Sequence, residues 1–431
     1  MRFLVYNVKE YNYTFGSIVK KSKESVRERR IIFCGRFRQT RGIRRCSIQS
    51  EEIMQKTEQK CRSVRIGNPF WKKGLTVILC LLMAAAVMLT CTQCKSSVDK
   101  QNAATEAPTE EVIEVAATEA VFDPLYFEKP NIPDDGTDGY TSGVDSGVYI
   151  YKNMAFELCG GSDSAAADYA SAISEFKKSA PEFTVYNMVV PTHTEFGLPE
   201  RVAREAYSAS QSQNIQKVYS SYTEDVKPIN CYNKLCEHID EYIYFNTDHH
   251  WTGLGSYYAY QAFCEQTGQT PLQLSDCTEN KKDGFTGTFS DCAEDLKSDS
   301  VYYWTFPYAT HAMRQEEPGT ELYQMDIYYE YIDAGSGLYS TFICGDSCLF
   351  IEYNDENKNG KKIAVVKESY GNAFVPYLTY NYEEVHVIDS RYFTGSIKTY
   401  MQENGISEII FVNNTMSSNN PFMVDGIREI S

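Results

Sequence analysis

Three short apolar runs recur roughly every 22 residues in the C-terminal third: IAVVK (Ile363–Lys367), VHVID (Val385–Asp389) and IIFVN (Ile409–Asn413). Their β-branched content predicts buried strands. The stretches between them, around Phe374–Leu378 and within Gly395–Asn404, predict helices, the second stopped by Gly405. Strands alternating with helices at this spacing predict a parallel sheet with helices on both faces. The same alternation starts upstream. Tyr169, Ile173 and Phe176 fall at helical spacing before Pro181, and FTVYNMVVP (Phe183–Pro191) reads as a strand. EYIYF (Glu241–Phe245) reads as another strand, followed by a helix from Gly253 to Thr267 that Gly268 ends. The expected fold is therefore α/β, a flavodoxin-like, doubly wound parallel sheet. The alternation fails over residues 271–343, where aromatic clusters such as VYYWTFPY and DIYYEYI accumulate. That segment is either an aromatic-rich β insertion over the sheet or a set of ordinary edge strands.

Charge divides the chain sharply. Residues 1–73 carry 19 Lys/Arg against 6 Asp/Glu, whereas the rest carries 22 against 52. Between the two lies GLTVILCLLMAAAVMLTCTQC (Gly74–Cys94), an uncharged run about long enough to span a bilayer. A basic head before such a run places the head inside and the acidic body outside. The expected location is the cell membrane with the body extracytoplasmic; the run is a transmembrane anchor or a signal segment. An acidic body of this charge excludes nucleic acid as a partner. Residues 1–73 read as a disordered cytoplasmic tail or an over-long start preceding Met54. Residues 95–121, rich in Ala, Thr and Glu, read as a flexible acidic linker. The folded body is expected from residue 122. It holds eight of the 14 cysteines without a tight Cys-x-x-Cys zinc spacing, so free thiols with one or two bridges are expected.

Two segments carry candidate chemistry. In YFNTDHHWTG, an extended backbone would put Asp248 and His250 on one side and His249 on the other. A carboxylate beside an imidazole is what a general base needs, since it fixes the tautomer and stabilises the imidazolium. The bland alternative is a polar loop with hydrogen-bonded histidines. In VVKESYGNAFVPYL, Ser369 follows a strand and precedes a helix, where ligands bind in open parallel sheets. Its hydroxyl could attack while neighbouring backbone N–H groups hold an oxyanion, or Ser369 could simply cap the helix. A competing nucleophile is Ser347 in Gly345-Asp346-Ser347. Trp251, beside the base, is the aromatic residue expected at a substrate.

The Asp-His-His-Trp segment, Lys-Glu-Ser-Tyr-Gly-Asn (Lys367–Asn372) and Ile-Asp-Ser-Arg-Tyr-Phe (Ile388–Phe393) together resemble the DHHW protein family. That family is similar to the SGNH-hydrolase-like domains of alginate O-acetylation proteins. The resemblance spans roughly residues 149–416. It implies an SGNH-type domain with Ser369 as nucleophile, His250 as base and Asp248 as the orienting acid. Auxiliary substrate or oxyanion contacts would fall to Asn372, Trp251, Tyr370, Arg391 and Thr192. Arg391 is equally compatible with a surface ion pair. Where many family members have Asp before the serine, this chain has Glu368.

The implied function is an esterase or O-acetyltransferase acting on cell-surface polysaccharide, with a membrane acyl-donor protein as the partner the resemblance suggests and no cofactor. Two other classes stay open. One is a metal-dependent phosphoesterase, since Asp-His-His also spells the DHH phosphoesterase signature. On an extended backbone, however, His249 and His250 diverge and cannot share an ion. The other is a non-catalytic surface or assembly protein.

Overall fold

The computed structural model describes residues 123–431. The basic tail, the apolar run and the acidic linker expected from the sequence lie outside the described residues. Among the described residues no helix is long and apolar enough to cross a membrane.

Strands β1 (Tyr140–Thr141), β2 (Val148–Tyr151) and β3 (Met154–Glu157) form a small antiparallel sheet. The main sheet contains β4 (Thr184–Val190) and β5 (Val226–Pro228). A separate ribbon pairs β6 (Thr278–Phe285) with β7 (Asp299–Thr305). The main sheet continues with β8 (Thr310–Gln315), β9 (Tyr323–Met325), β10 (Leu349–Asn354), β11 (Lys362–Lys367), β12 (Glu384–Asp389) and β13 (Glu408–Asn414). Its eight strands run in the order β5-β4-β13-β11-β12-β10-β8-β9. The first five are mutually parallel, and β10, β8 and β9 add on as antiparallel neighbours.

β11 lies between β13 and β12, with Val365 opposite both Ile410 and Val387. Its Ile363–Lys367 run is buried throughout, as a central parallel strand covered on both faces must be. Helices α1 (Asp163–Ser179), α2 (Gln211–Tyr219), α3 (Gly253–Thr267), α4 (Gly371–Leu378), α5 (Ile397–Asn404) and α6 (Pro421–Ile430) surround the sheet. α1 packs on α2 and α6, while α3 packs on α4. Phe176 of α1 meets Phe411 at 5.5 Å between ring centres, and Phe263 of α3 meets Tyr186 at 5.6 Å. The start and stop of α3 follow from local chemistry. The Thr252 side chain accepts from Gly255 N–H, and Gly268 takes the left-handed cap at φ 69°.

The sequence expectations are corrected at Glu241–Phe245 and at the cysteines. Glu241–Phe245 is not a sheet strand; its one pairing is an isolated bridge between Tyr244 and Trp251, which closes a loop. Ahead of Ser347, Ser336–Thr341 forms a 3₁₀ turn, and Ile343 takes a left-handed conformation. Residues 271–343 divide between both readings: β6 and β7 form the separate ribbon, and β8 and β9 are edge strands of the main sheet. The eight cysteines of the body are all unpaired.

Candidate active site

The parallel strands β4, β13, β11 and β12 end on one side of the sheet, and Ser369 lies two residues past the end of β11. The imidazole reaches it from a loop. Phe245 N–H donates to His250 O and Thr252 N–H donates to Ile243 O, pinching residues 246–250 into a projecting turn. The floor of that turn is the buried Asp299 at the start of β7. Its Oδ1 accepts from Tyr242 Oη, Asn246 N and Asn246 Nδ2. Its Oδ2 accepts from Thr247 N at 2.8 Å and Thr247 Oγ1 at 2.6 Å.

Within the turn, Asp248 and His250 are 4 % and 6 % exposed. Asp248 Oδ1 lies 2.5 Å from His250 Nδ1 and also accepts His250 N–H. Asp248 Oδ2 accepts Thr288 N–H at 2.8 Å and the Thr288 hydroxyl at 2.5 Å. His250 Nε2 is 2.8 Å from Ser369 Oγ. Burial works against ionising Asp248, but His250 and the Thr288 hydroxyl hold its carboxyl well below the usual carboxylate range. An ionised Asp248 accepts Nδ1–H, which leaves Nε2 free to accept the serine proton. Tyr339 stacks on the His250 ring at 3.9 Å and donates its hydroxyl to Ser369 O. Gly287 lets the Thr288 loop press this close, since a Cβ there would lie 2.4 Å from Asp248 Cβ.

Asp248, His250 and Ser369 are thus brought together, whereas the auxiliary candidates are committed to other partners. Trp251 is fully buried beneath the site and donates Nε1–H to Tyr370 O, so it does not face a substrate. Tyr370 is also buried, with its hydroxyl on His249 O. Thr192 is buried and exchanges hydrogen bonds with the Gln211 amide. Asn372 donates Nδ2 to Asp346 Oδ1. Arg391 joins Asp346, Asp389 and the fully buried Lys367 in an alternating ion cluster. Its side chain is 25% exposed and its guanidinium pairs with both carboxylates, so a purely surface ion pair does not describe it. Burial opposes ionising Asp346, but Lys367 and Arg391 hold its carboxyl below the normal range. Gly371 is needed beside this cluster because a Cβ would lie 2.5 Å from Lys367 Cβ.

The backbone N–H groups of the three residues after Ser369 are already engaged. Tyr370 N–H goes to Glu368 Oε2, Gly371 N–H to Glu368 O and Asn372 N–H to Ser369 O. The competing nucleophile fails on geometry: Ser347 is buried, and its hydroxyl contacts only Leu349 O, at 3.4 Å.

The divergence expected of His249 and His250 does not occur. The turn brings their rings to 3.9 Å, and Asp248, His249 and His250 form a group compact enough for a metal ion. Most of their ligand atoms are nevertheless committed, His249 Nε2 excepted. His250 uses both nitrogens on Asp248 and Ser369, and His249 Nδ1 contacts Thr288 Oγ1. Metal ligation would dismantle the relay, so the donor set fits an ion poorly. Burial and then the adjacent His250 push the His249 imidazole below its ordinary value.

Sequence reasoning missed Thr288, Asp299, Tyr339 and Glu368. The first three lie 30 to 89 residues from the residues they support, without a motif of their own. Glu368 was legible only as the residue preceding the serine.

The profile of the DHHW protein family matches residues 130–388. No curated protein sequence matches the chain. Among solved structures, a DHHW family protein from Eubacterium siraeum is 32% identical, with a TM-score of 0.61 over 68% of this chain and 98% of that one. PatB1 of Bacillus cereus is 20% identical, with a TM-score of 0.53 over 64% and 98%. A second PatB1 structure, with a sulfonyl adduct, is 19% identical, with a TM-score of 0.52 over 64% and 96%.

Proposed function

The chain belongs to the DHHW protein family, and from that premise we propose that it is a serine-dependent acyl-transfer enzyme of SGNH type. The observation that carries the proposal is the continuous relay from Asp248 through His250 to Ser369 Oγ, with contacts of 2.5 and 2.8 Å. Ser369 attacks an ester carbonyl while His250 Nε2 takes the hydroxyl proton. Asp248, fixed by Thr288, stabilises the imidazolium. His250 then returns the proton to the leaving alcohol, leaving an acyl-serine that water or a sugar hydroxyl resolves.

The sheet is read as doubly wound because Tyr186 and Asn187 alternate along β4: the first meets Phe263 of α3, the second Tyr169 of α1. The substrate class, an acylated cell-surface carbohydrate, rests on family likeness. So do the extracytoplasmic position and a membrane acyl-donor partner, together with the charge asymmetry about Gly74–Cys94.

The test is p-nitrophenyl acetate hydrolysis by the full chain, beside Ser369→Ala and an EDTA control. Hydrolysis that survives EDTA and vanishes in the variant supports the reading. Equal rates with and without Ser369 would end it.

A further inference from the structure

Ser369 Oγ has two polar neighbours but one proton. His250 Nε2 stands at 2.8 Å and Glu368 Oε2 at 3.2 Å. The Glu368 carboxyl is 3% exposed, and its oxygens accept Tyr370 N–H at 3.1 Å and Asn414 N–H at 3.0 Å. Among the described residues no cation bonds to it directly; Arg391 and His249 act on it only at longer range. If Ser369 donates to His250, as attack requires, the second contact is a hydrogen bond only when Glu368 carries a proton and donates to Oγ.

We propose that Glu368 is a further catalytic residue, a neutral carboxylic acid whose O–H first donates to Ser369 Oγ and then to the carbonyl oxygen that becomes the oxyanion. The deepening rests on the serine acyl-transfer reading above.

The chemistry balances without a new reagent. The Oγ–C bond forms as the serine proton passes to His250 Nε2. The carbonyl π pair moves onto oxygen, which receives a hydrogen bond, not a proton, from Glu368. A carboxylate at the same place would oppose the negative charge gathering on that oxygen. Burial favours the neutral form and raises the Glu368 carboxyl, against the two backbone N–H groups. The arrangement also answers the occupied amides around Ser369. Because the amides of the three residues after Ser369 are occupied, Glu368, which Tyr370 N–H holds, is placed to supply an oxyanion donor. A neutral acid stabilising an oxyanion in an apolar site has precedent in enzyme chemistry.

The charged and titratable groups around Glu368 are His250, which shares Ser369 Oγ with it, then Arg391, His249 and Glu157, with the buried phenols of Tyr169, Tyr339 and Tyr370. Neutralising Glu368 thus adds no unpaired charge to a crowded acidic site.

The experiment uses the full chain, with Glu368→Gln and Glu368→Ala beside Ser369→Ala. Infrared difference spectra of wild type against Glu368→Gln near pH 7 should show the carbonyl stretch of a protonated acid disappearing. For p-nitrophenyl acetate, kcat should fall about 10²–10³-fold in Glu368→Ala, the usual cost of one oxyanion donor, with KM little changed. Glu368→Gln keeps an N–H donor but not the acceptor for Tyr370 N–H, and should fall between. Wild-type kcat should also decline at the alkaline side as Glu368 ionises, a limb absent from Glu368→Gln. A carboxylate band in place of the acid band overturns the proposal. So does Glu368→Ala within about threefold of wild-type kcat. If Glu368→Ala does not fold, the glutamine variant and the spectrum still decide. If hydrolysis proves independent of Ser369, the acyl-transfer reading fails separately, while the infrared band still reports whether Glu368 is protonated.

Discussion

Asp299→Asn tests whether the β6–β7 ribbon holds the histidine loop in place. Asp299 receives five donors, three on Oδ1 and two on Oδ2. An asparagine whose oxygen keeps the Oδ1 contacts turns its NH₂ toward Thr247 N–H. That hydrogen bond is lost and two donors face each other, while the Thr247 hydroxyl can rotate to accept. Hydrogen bonds to a charged acceptor contribute about 1.5–3 kcal/mol, and an orphaned buried donor costs about 1–3 kcal/mol. The net loss should be about 2–4 kcal/mol. At roughly 2 °C per kcal/mol for a large domain, melting should fall by about 4–8 °C. Thr247 precedes Asp248, so the loss acts on the relay too. A displacement on the order of 1 Å there should cost about 10²-fold in kcat. Thermal melts by circular dichroism and p-nitrophenyl acetate kinetics read the two effects. Melting within about 1 °C of wild type, together with unchanged kcat, would refute the claim that Asp299 positions the loop.

Thr288→Val removes one donor from Asp248 but leaves the backbone N–H. It should lower kcat/KM about tenfold, because the hydroxyl helps hold Asp248 in place as the partner of His250. An unchanged kcat/KM would contradict that role. Glu352, in the middle of β10, is fully buried with neither carboxylate oxygen hydrogen-bonded, and burial raises its carboxyl well above normal. The folded state then holds a proton the unfolded state releases. Wild-type stability should fall as pH rises from about 4.3 toward the raised folded value. Glu352→Met should remove that slope and raise the melting temperature by several degrees, roughly the return of an unsatisfied polar group; denaturant melts across pH would show it.

The C-terminal strands were legible because each is a continuous apolar run bounded by turn residues, and α3 because Thr252 and Gly268 mark its ends. β10 was not, since Glu352 and Asn354 interrupt its apolar pattern and both are buried in the sheet. Glu241–Phe245 looked like a strand because aromatic residues favour strands and cores alike. No neighbouring strand pairs with it, and its rings pack inward. The Asp-x-His spacing did identify two residues that meet, though for another reason than alternation. Asp248 folds back onto His250 N–H, which is why His249 stays beside His250 instead of pointing away. Trp251 was misplaced because an indole next to a base can line a cleft or floor it, and only the distant Tyr370 carbonyl decides. Thr288, Asp299 and Tyr339 come from residues 271–343, the segment where periodicity failed, and so were invisible as a group.

The most direct test of the central claim is covalent labelling of the full chain with phenylmethylsulfonyl fluoride, mapped by peptide mass spectrometry. The account predicts a single sulfonylated serine at Ser369, lost in His250→Ala and retained in Ser347→Ala. Labelling at Ser347, or at Ser369 with no dependence on His250, would contradict it.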